Sequence, residues 1–291
     1  MSIEGDALSQ TSSQDRKIPV RNVAFEESLH GLRKNFSDGD LIMSHIVASM
    51  SSLFPDGEEF FVRSVRHYRK EITDPILAEQ VKGFIGQEAI HAREHRILNE
   101  KLAELGFKTR LVAKLGKRSL DRLVVPEVNL AITCAFEHFT ATLAGLLLSD
   151  PEAQQAIGDE PVRNFMLWHA LEEFEHRSVA FDVYQAIGGR ESLRVAVMRK
   201  IRKAFIVGTV TRVVLGLLVD RDTYRWGVLW RSIQRLRSSP LMQRSVWEEL
   251  KRYDQPDFHP NNVDLSSLEQ RWRDELFGSD SARLSGLLAR Q

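Results

Sequence analysis

Glu88-Ala89-Ile90-His91 and Glu173-Phe174-Glu175-His176 repeat one pattern, Glu-x-x-His, at two distant places in the chain. On an α-helix, residues three, four and seven apart share a face. Glu88 and His91 therefore point the same way, as do His169, Glu173 and His176. Lone glutamates stand before and between the two patterns, at Glu58 and Glu137. The order Glu, Glu-x-x-His, Glu, Glu-x-x-His lets each of four helices bring a carboxylate to one centre. Several carboxylates buried together repel unless a cation joins them. The pattern predicts an all-α, four-helix bundle built around two metal ions.

The rest of the chain accommodates this arrangement. Residues 1–16 read as a polar, disordered tail, and residues 17–38 as extended or irregular. A first helix is expected from Asp40 to about Leu53. Pro55 opens the next, where its missing N–H costs nothing. There Glu58 shares a face with Phe61, Val62 and Val65, whereas Glu59 falls with Arg63 and Arg66, so periodicity selects Glu58 as the inward carboxylate. A long helix runs from Asp74-Pro75 to Leu105-Gly106 with the inner stripe Val81, Phe84, Glu88, His91, His95, Leu98, Leu102. Lys108–Arg122 reads as a basic, irregular crossover. The third bundle helix begins at Pro126 and stops before Asp150-Pro151. Around Glu137 it carries Thr133, Cys134, Thr140, Ala141 and Ala144, small residues that imply a cavity beside the metals. A fourth helix is expected from Pro161 to Ile187, ending at Gly188-Gly189. A third Glu-x-x-His, Glu27 to His30, is set aside because Gly31 interrupts it and no long amphipathic helix carries it.

The expected metal ligands are Glu58, Glu88, His91, Glu137, His169, Glu173 and His176. His95 and Glu172 are expected just behind them, orienting ligands or adding one. Carboxylate-rich sites with two or three imidazoles suit iron first, then manganese, with zinc the poorest fit. A single cysteine, Cys134, excludes an internal disulfide and any cysteine-rich zinc or iron–sulfur site. Lys plus Arg equals Asp plus Glu at 40 each, so no global field draws in nucleic acid. No apolar signal-peptide core follows the polar N-terminus, which gives a cytoplasmic expectation.

The segments KIPVRNVAFE, SLFPDGEEFFVRSVRHY, FIGQEAIHAREHR, AFEHFTA and WHALEEFEHRSVAFDVY resemble the bacterial family labelled predicted metal-dependent hydrolases over about residues 17–278. The resemblance implies a ferritin-like di-metal core. The ligand pattern is also similar to that of p-aminobenzoate N-oxygenases, which add a third histidine four residues before the last Glu-x-x-His. His169 stands at that position.

The expected function is a non-haem di-iron oxidase or oxygenase acting on a small organic substrate with dioxygen. The alternatives are a two-metal hydrolase, as the family label says, and iron storage or peroxide detoxification. The organisation expected is a bundle over residues 17–189 and a helical extension over 190–291 packed on it. Residues 190–244 hold thirteen basic residues against three acidic ones, with an apolar run from Ala204 to Val219. Two readings stand for them: a fifth long helix on the bundle, or an amphipathic surface in peripheral contact with anionic membranes. Apart from the substrate, a homodimer is the other partner considered.

Overall fold

A computed structural model describes residues 17–278 and 283–288. The polar tail expected at 1–16 lies outside the described residues. Helices account for nearly all regular structure, and the isolated bridge Val23–Leu288 is the only β pairing among the described residues.

Asp40 caps α1 (Leu41–Ser51), its side chain accepting from the Met43 N–H at 3.0 Å. After a two-residue break comes α2 (Phe54–His67), with Pro55 in its first turn. Asp74 caps α3 (Pro75–Glu104). The whole expected inner stripe of α3 is buried. The connection expected to be irregular contains a helix, α4 (Thr109–Leu120). Thr109, Val112, Ala113, Gly116 and Leu120 recur at helical spacing and turn inward, while Arg110, Lys114, Lys117 and Arg118 face water. The density of basic residues obscured that period in the sequence.

Next comes α5 (Pro126–Ser149), then the short α6 (Pro151–Ile157) capped by Asp150. The helix expected from Pro161 to Ile187 is interrupted at Arg177-Ser178, giving α7 (Glu160–His176) and α8 (Val179–Ala186). At the break Arg177 donates from Nε to Asn261 Oδ1 at 3.0 Å, so a contact with the C-terminal segment coincides with the interruption. Then follow α9 (Glu191–Val219), α10 (Trp226–Ser238), α11 (Arg244–Arg252) and α12 (Ser266–Phe277).

The bundle is made by α2 against α3 and by α5 against α7 and α8, with α2–α5 and α3–α7 contacts closing it. Two apolar clusters flank the buried polar centre. One joins Phe61, Phe84, Leu130 and Val183 to Met198 and Leu250; the other joins Leu98, Leu102, Leu148 and Leu171 to Trp272 and Leu276. The C-terminal helices thus contribute side chains to both cores.

Two close approaches depend on glycine. Residues 17–23 lie across α3, where a Cβ at Gly83 would stand 2.6 Å from Ile18 Cβ and one at Gly86 2.5 Å from Val20 Cγ2. On α9, a Cβ at Gly216 would meet His45 Nδ1 at 2.7 Å, and its absence lets α9 lie against α1. Among the described residues one helix, α5, is long and apolar enough to cross a membrane; 61% of its most apolar stretch is buried within the protein.

Candidate metal centre

Each bundle helix delivers its acid for the reason its sequence suggests. Glu58 points in from α2 and is 1% exposed, while Glu59 stays at the surface and pairs with Arg96 of α3. Glu88 and His91 lie one turn apart on α3 between Phe84 and Leu98, all four fully buried. Glu137 enters from α5, and α7 supplies His169, Glu173 and His176.

These side chains meet. Glu88, His91, Glu173 and His176 each offer a ligand atom within 4.8 Å of the others, and Glu58, His91 and His169 form a second such group. Glu137 stands outside both groups but touches the centre, its Oε2 lying 3.1 Å from His176 Nδ1. His169 Nε2 lies 3.0 Å from Glu173 Oε1 and His176 Nε2 3.3 Å from Glu88 Oε1.

The nitrogens are sorted by their outer partners. His91 Nε2 donates to Glu172 Oε2 at 2.9 Å, which turns Nδ1 inward. His169 Nδ1 is 3.0 Å from His95 Nε2, which turns its own Nε2 inward. Both nitrogens of His95 are engaged, Nδ1 with Ser51 Oγ at 2.8 Å, so His95 braces His169 from behind. Phe54 stacks on His95 and His169, at 4.5 and 4.9 Å between centroids. Glu172 and Glu175 are fastened in turn by Arg21 of the N-terminal segment: NH1 is 3.1 Å from Glu172 Oε1, and both Arg21–Glu175 contacts are 2.7 Å. Gln87 and Arg273 complete the grip on Glu175.

Arg21, Ser51 and Phe54 were not among the sequence-derived site residues. Arg21 lies 151 positions from Glu172, and no local period reports such a pairing.

The donor set fits metal. Both carboxylate oxygens of Glu58 and of Glu88, Glu137 Oε1, Glu173 Oε2, His91 Nδ1, His169 Nε2 and His176 Nε2 are buried without a hydrogen-bond partner. Leaving one such atom unsatisfied costs about 1–3 kcal/mol, so this many in one place calls for a cation. Electrostatics agree. Burial, compounded by Glu173, pushes the Glu58 carboxyl well above its usual range, and burial with Glu137 does the same to Glu88. Burial also raises Glu137 to about 7, although His176 opposes it. Burial pulls His176 down, but Glu137 outweighs it and carries the imidazole to about 9. Burial and the neighbouring imidazoles hold His91 well below the usual range, which keeps it neutral and able to ligate.

Beside Glu173 and His169 lies a cavity of about 130 Å³. Its walls are almost wholly apolar, among them Met43, Val47, Phe54, Leu143, Ala144 and Met166. Thr140 is a polar side chain on that wall. Of the small residues expected around Glu137, Thr140 and Ala144 face this cavity, whereas Thr133 bonds Ser64 Oγ and Cys134 Sγ donates to the Ala180 carbonyl.

Fold and donors together define an all-helical protein with a buried carboxylate–imidazole centre suited to divalent metal. The chain belongs to the family described as predicted metal-dependent hydrolase, whose profile matches residues 19–264. Comparisons with curated proteins and with solved structures find no match to this chain.

Proposed function

We propose that the protein is a di-metal oxidase or oxygenase acting on a small, predominantly apolar substrate. The cavity carries this reading: the space that reaches Glu173 and His169 is walled by methionine, leucine, valine and alanine. A space of this kind excludes bulk water and admits dioxygen and apolar molecules. Four carboxylates with three imidazoles suit iron, which when bound supplies reaction with dioxygen. Glu58, Glu88, Glu137 and Glu173 would hold two ions, with His91, His169 and His176 as nitrogen donors.

The chain's own residues have separable tasks. Glu172 fixes the His91 ring by accepting from Nε2. His95, held by Ser51, fixes His169. Thr140, whose hydroxyl donates to the Phe136 and Glu137 carbonyls, leaves that oxygen as an acceptor on the cavity wall, and Phe54, beside His169, limits the cavity's width.

The second reading is two-metal hydrolysis, with manganese, zinc or iron activating water. It rests on the family description, which favours it over oxidation. The experiment that separates the two is an anaerobic titration of the metal-free protein with ferrous iron, followed by oxygen. Oxygen consumption with a new near-ultraviolet absorption supports oxidation. No consumption, together with metal-dependent cleavage of apolar esters, replaces it with hydrolysis.

A further inference from the structure

The inward face of α9 packs on α1 and α5, but its outer face is apolar as well. Val207, Val210, Val214, Leu215, Leu218 and Val219 are each 48–61% exposed. At positions 207, 210, 214 and 218 they follow helical spacing, so the stripe is continuous over about three turns. Arg212, which interrupts the apolar run in the sequence, is turned inward with Nε on Ser49 Oγ at 3.0 Å and leaves the stripe unbroken. Beyond the C-terminus of α9, Trp226 and Trp230 stack on the surface of α10, 72% and 42% exposed, with ring centroids 6.3 Å apart.

The charge around this face is predominantly positive, since Asp220 and Asp222, which follow α9, are paired with Lys34. No aspartate or glutamate occurs from Ser192 to Val219, in α10 or in α4. Lys200 and Lys203 on α9, Arg221 and Arg231 beyond it, and Lys114 on α4 are exposed. An apolar stripe, tryptophans at one end and cations around both is the composition of a surface that lies in the headgroup region of a bilayer. A second copy of the chain fits less well. A two-fold contact through the same patch would set the cations of α9 and α10 against one another, while the acids that follow α9, Asp220 and Asp222, are already held by Lys34.

The face also leads inward. A cavity of about 300 Å³ is lined by Gly116 and Leu120 of α4 and by Ala204, Phe205 and Arg212 of α9. It shares Met50, Phe54, Thr140 and Leu143 with the cavity at Glu173 and His169.

We propose that α9 and α10 seat the protein on an anionic phospholipid bilayer, so that the cavity between α4 and α9 takes an apolar substrate from the lipid side. Docking stands independently of the chemistry proposed above; only the entry route rests on it. The test uses the full chain with sucrose-loaded vesicles of phosphatidylcholine, with and without phosphatidylglycerol, at low and high salt. The protein should sediment with the anionic vesicles and be released by salt. Val210→Glu with Leu218→Glu should lower partitioning about ten-fold, since the stripe would then carry charge into the acyl boundary. Trp226→Ala with Trp230→Ala should also weaken it, with helicity and metal content unchanged in both variants. Protein that stays in the supernatant, or variants that sediment as well as the parent, would overturn the proposal. So would light scattering that shows a dimer broken by Val210→Glu with Leu218→Glu, which assigns the stripe to a second copy. Vesicle binding by a protein that consumes no oxygen would leave docking intact and remove the oxidase reading alone.

Discussion

Glu172 Oε2 accepts a hydrogen bond from His91 Nε2 at 2.9 Å, and this bond decides which nitrogen of His91 faces the metal centre. The arrangement reaches outward in steps. His91 is held by Glu172, Glu172 by Arg21, and Arg21 also holds Glu175. A ring orientation at the centre therefore depends on a guanidinium near the start of the chain.

Glu172→Ala should lower metal affinity about 10–100-fold, the usual effect of removing an outer partner of a ligating histidine. Titration calorimetry and metal analysis after gel filtration measure it. Unchanged affinity would mean that packing alone fixes His91, which stacks on His169 at 4.3 Å between centroids.

Metal binding should strengthen as pH rises. Ligands bind as deprotonated groups, and in the metal-free protein Glu58 and Glu88 sit well above the usual carboxylate range, with Glu137 at about 7 and His176 at about 9. Each raised group keeps its proton to a higher pH than usual, and such protons must leave as metal enters. Calorimetry in buffers of different ionisation enthalpy should show net proton release, and affinity should fall as pH drops below about 9 and more steeply below about 7. Binding without proton release would contradict the site's electrostatics.

Arg21→Met should destabilise the fold by about 3 kcal/mol, because Glu172 and Glu175 remain buried without their shared cation. Arg273 still holds Glu175 at 2.7 Å and limits the loss. Urea denaturation gives the size, and loss of metal at the same time would show that the outer brace and the centre are coupled.

His138 makes a separate prediction. Burial lowers its imidazole from 6.5 to about 4, and its Nε2 donates to the Glu249 carbonyl oxygen at 3.1 Å. Between those two pH values the unfolded chain binds a proton that the native imidazole does not. Stability therefore falls as pH falls through this window, by up to about 3 kcal/mol. His138→Gln, which can still donate to the same carbonyl, should flatten the dependence. Urea midpoints of the metal-free protein from pH 7 to pH 4 are the measurement, and parallel curves for parent and variant would refute it.

Much of the bundle and its centre can be read from local periods. The stripe from Val81 to Leu102 is a single helical face, and the choice of Glu58 over Glu59 follows from Phe61 and Val65, one and two turns on. The residues that escaped are of two kinds. Arg21 acts across a gap in sequence that no period spans, and Ser51 and Phe54 stand at helix ends, where their neighbours do not reveal which way they point. In α4 the helical period was present but hidden among basic residues. At Arg177-Ser178 the pattern of α7 continues smoothly into α8, and the interruption coincides with a contact to Asn261 that lies far along the chain.

The segment that crosses α3 at Gly83 and Gly86 imposes an order on assembly. Ile18, Val20 and Arg21 are among the first described residues to be synthesised, yet Glu172 and Glu175 follow about 150 positions later. Until α7 is made, Arg21 has neither of these acids to pair with, and the groove on α3 cannot be sealed by that ion pair. Closing so long a loop is slow compared with forming the helices themselves. The N-terminal strap is therefore expected to lock late, as a latch over a bundle whose helices have already met, and metal would gain its tightest hold only after that step.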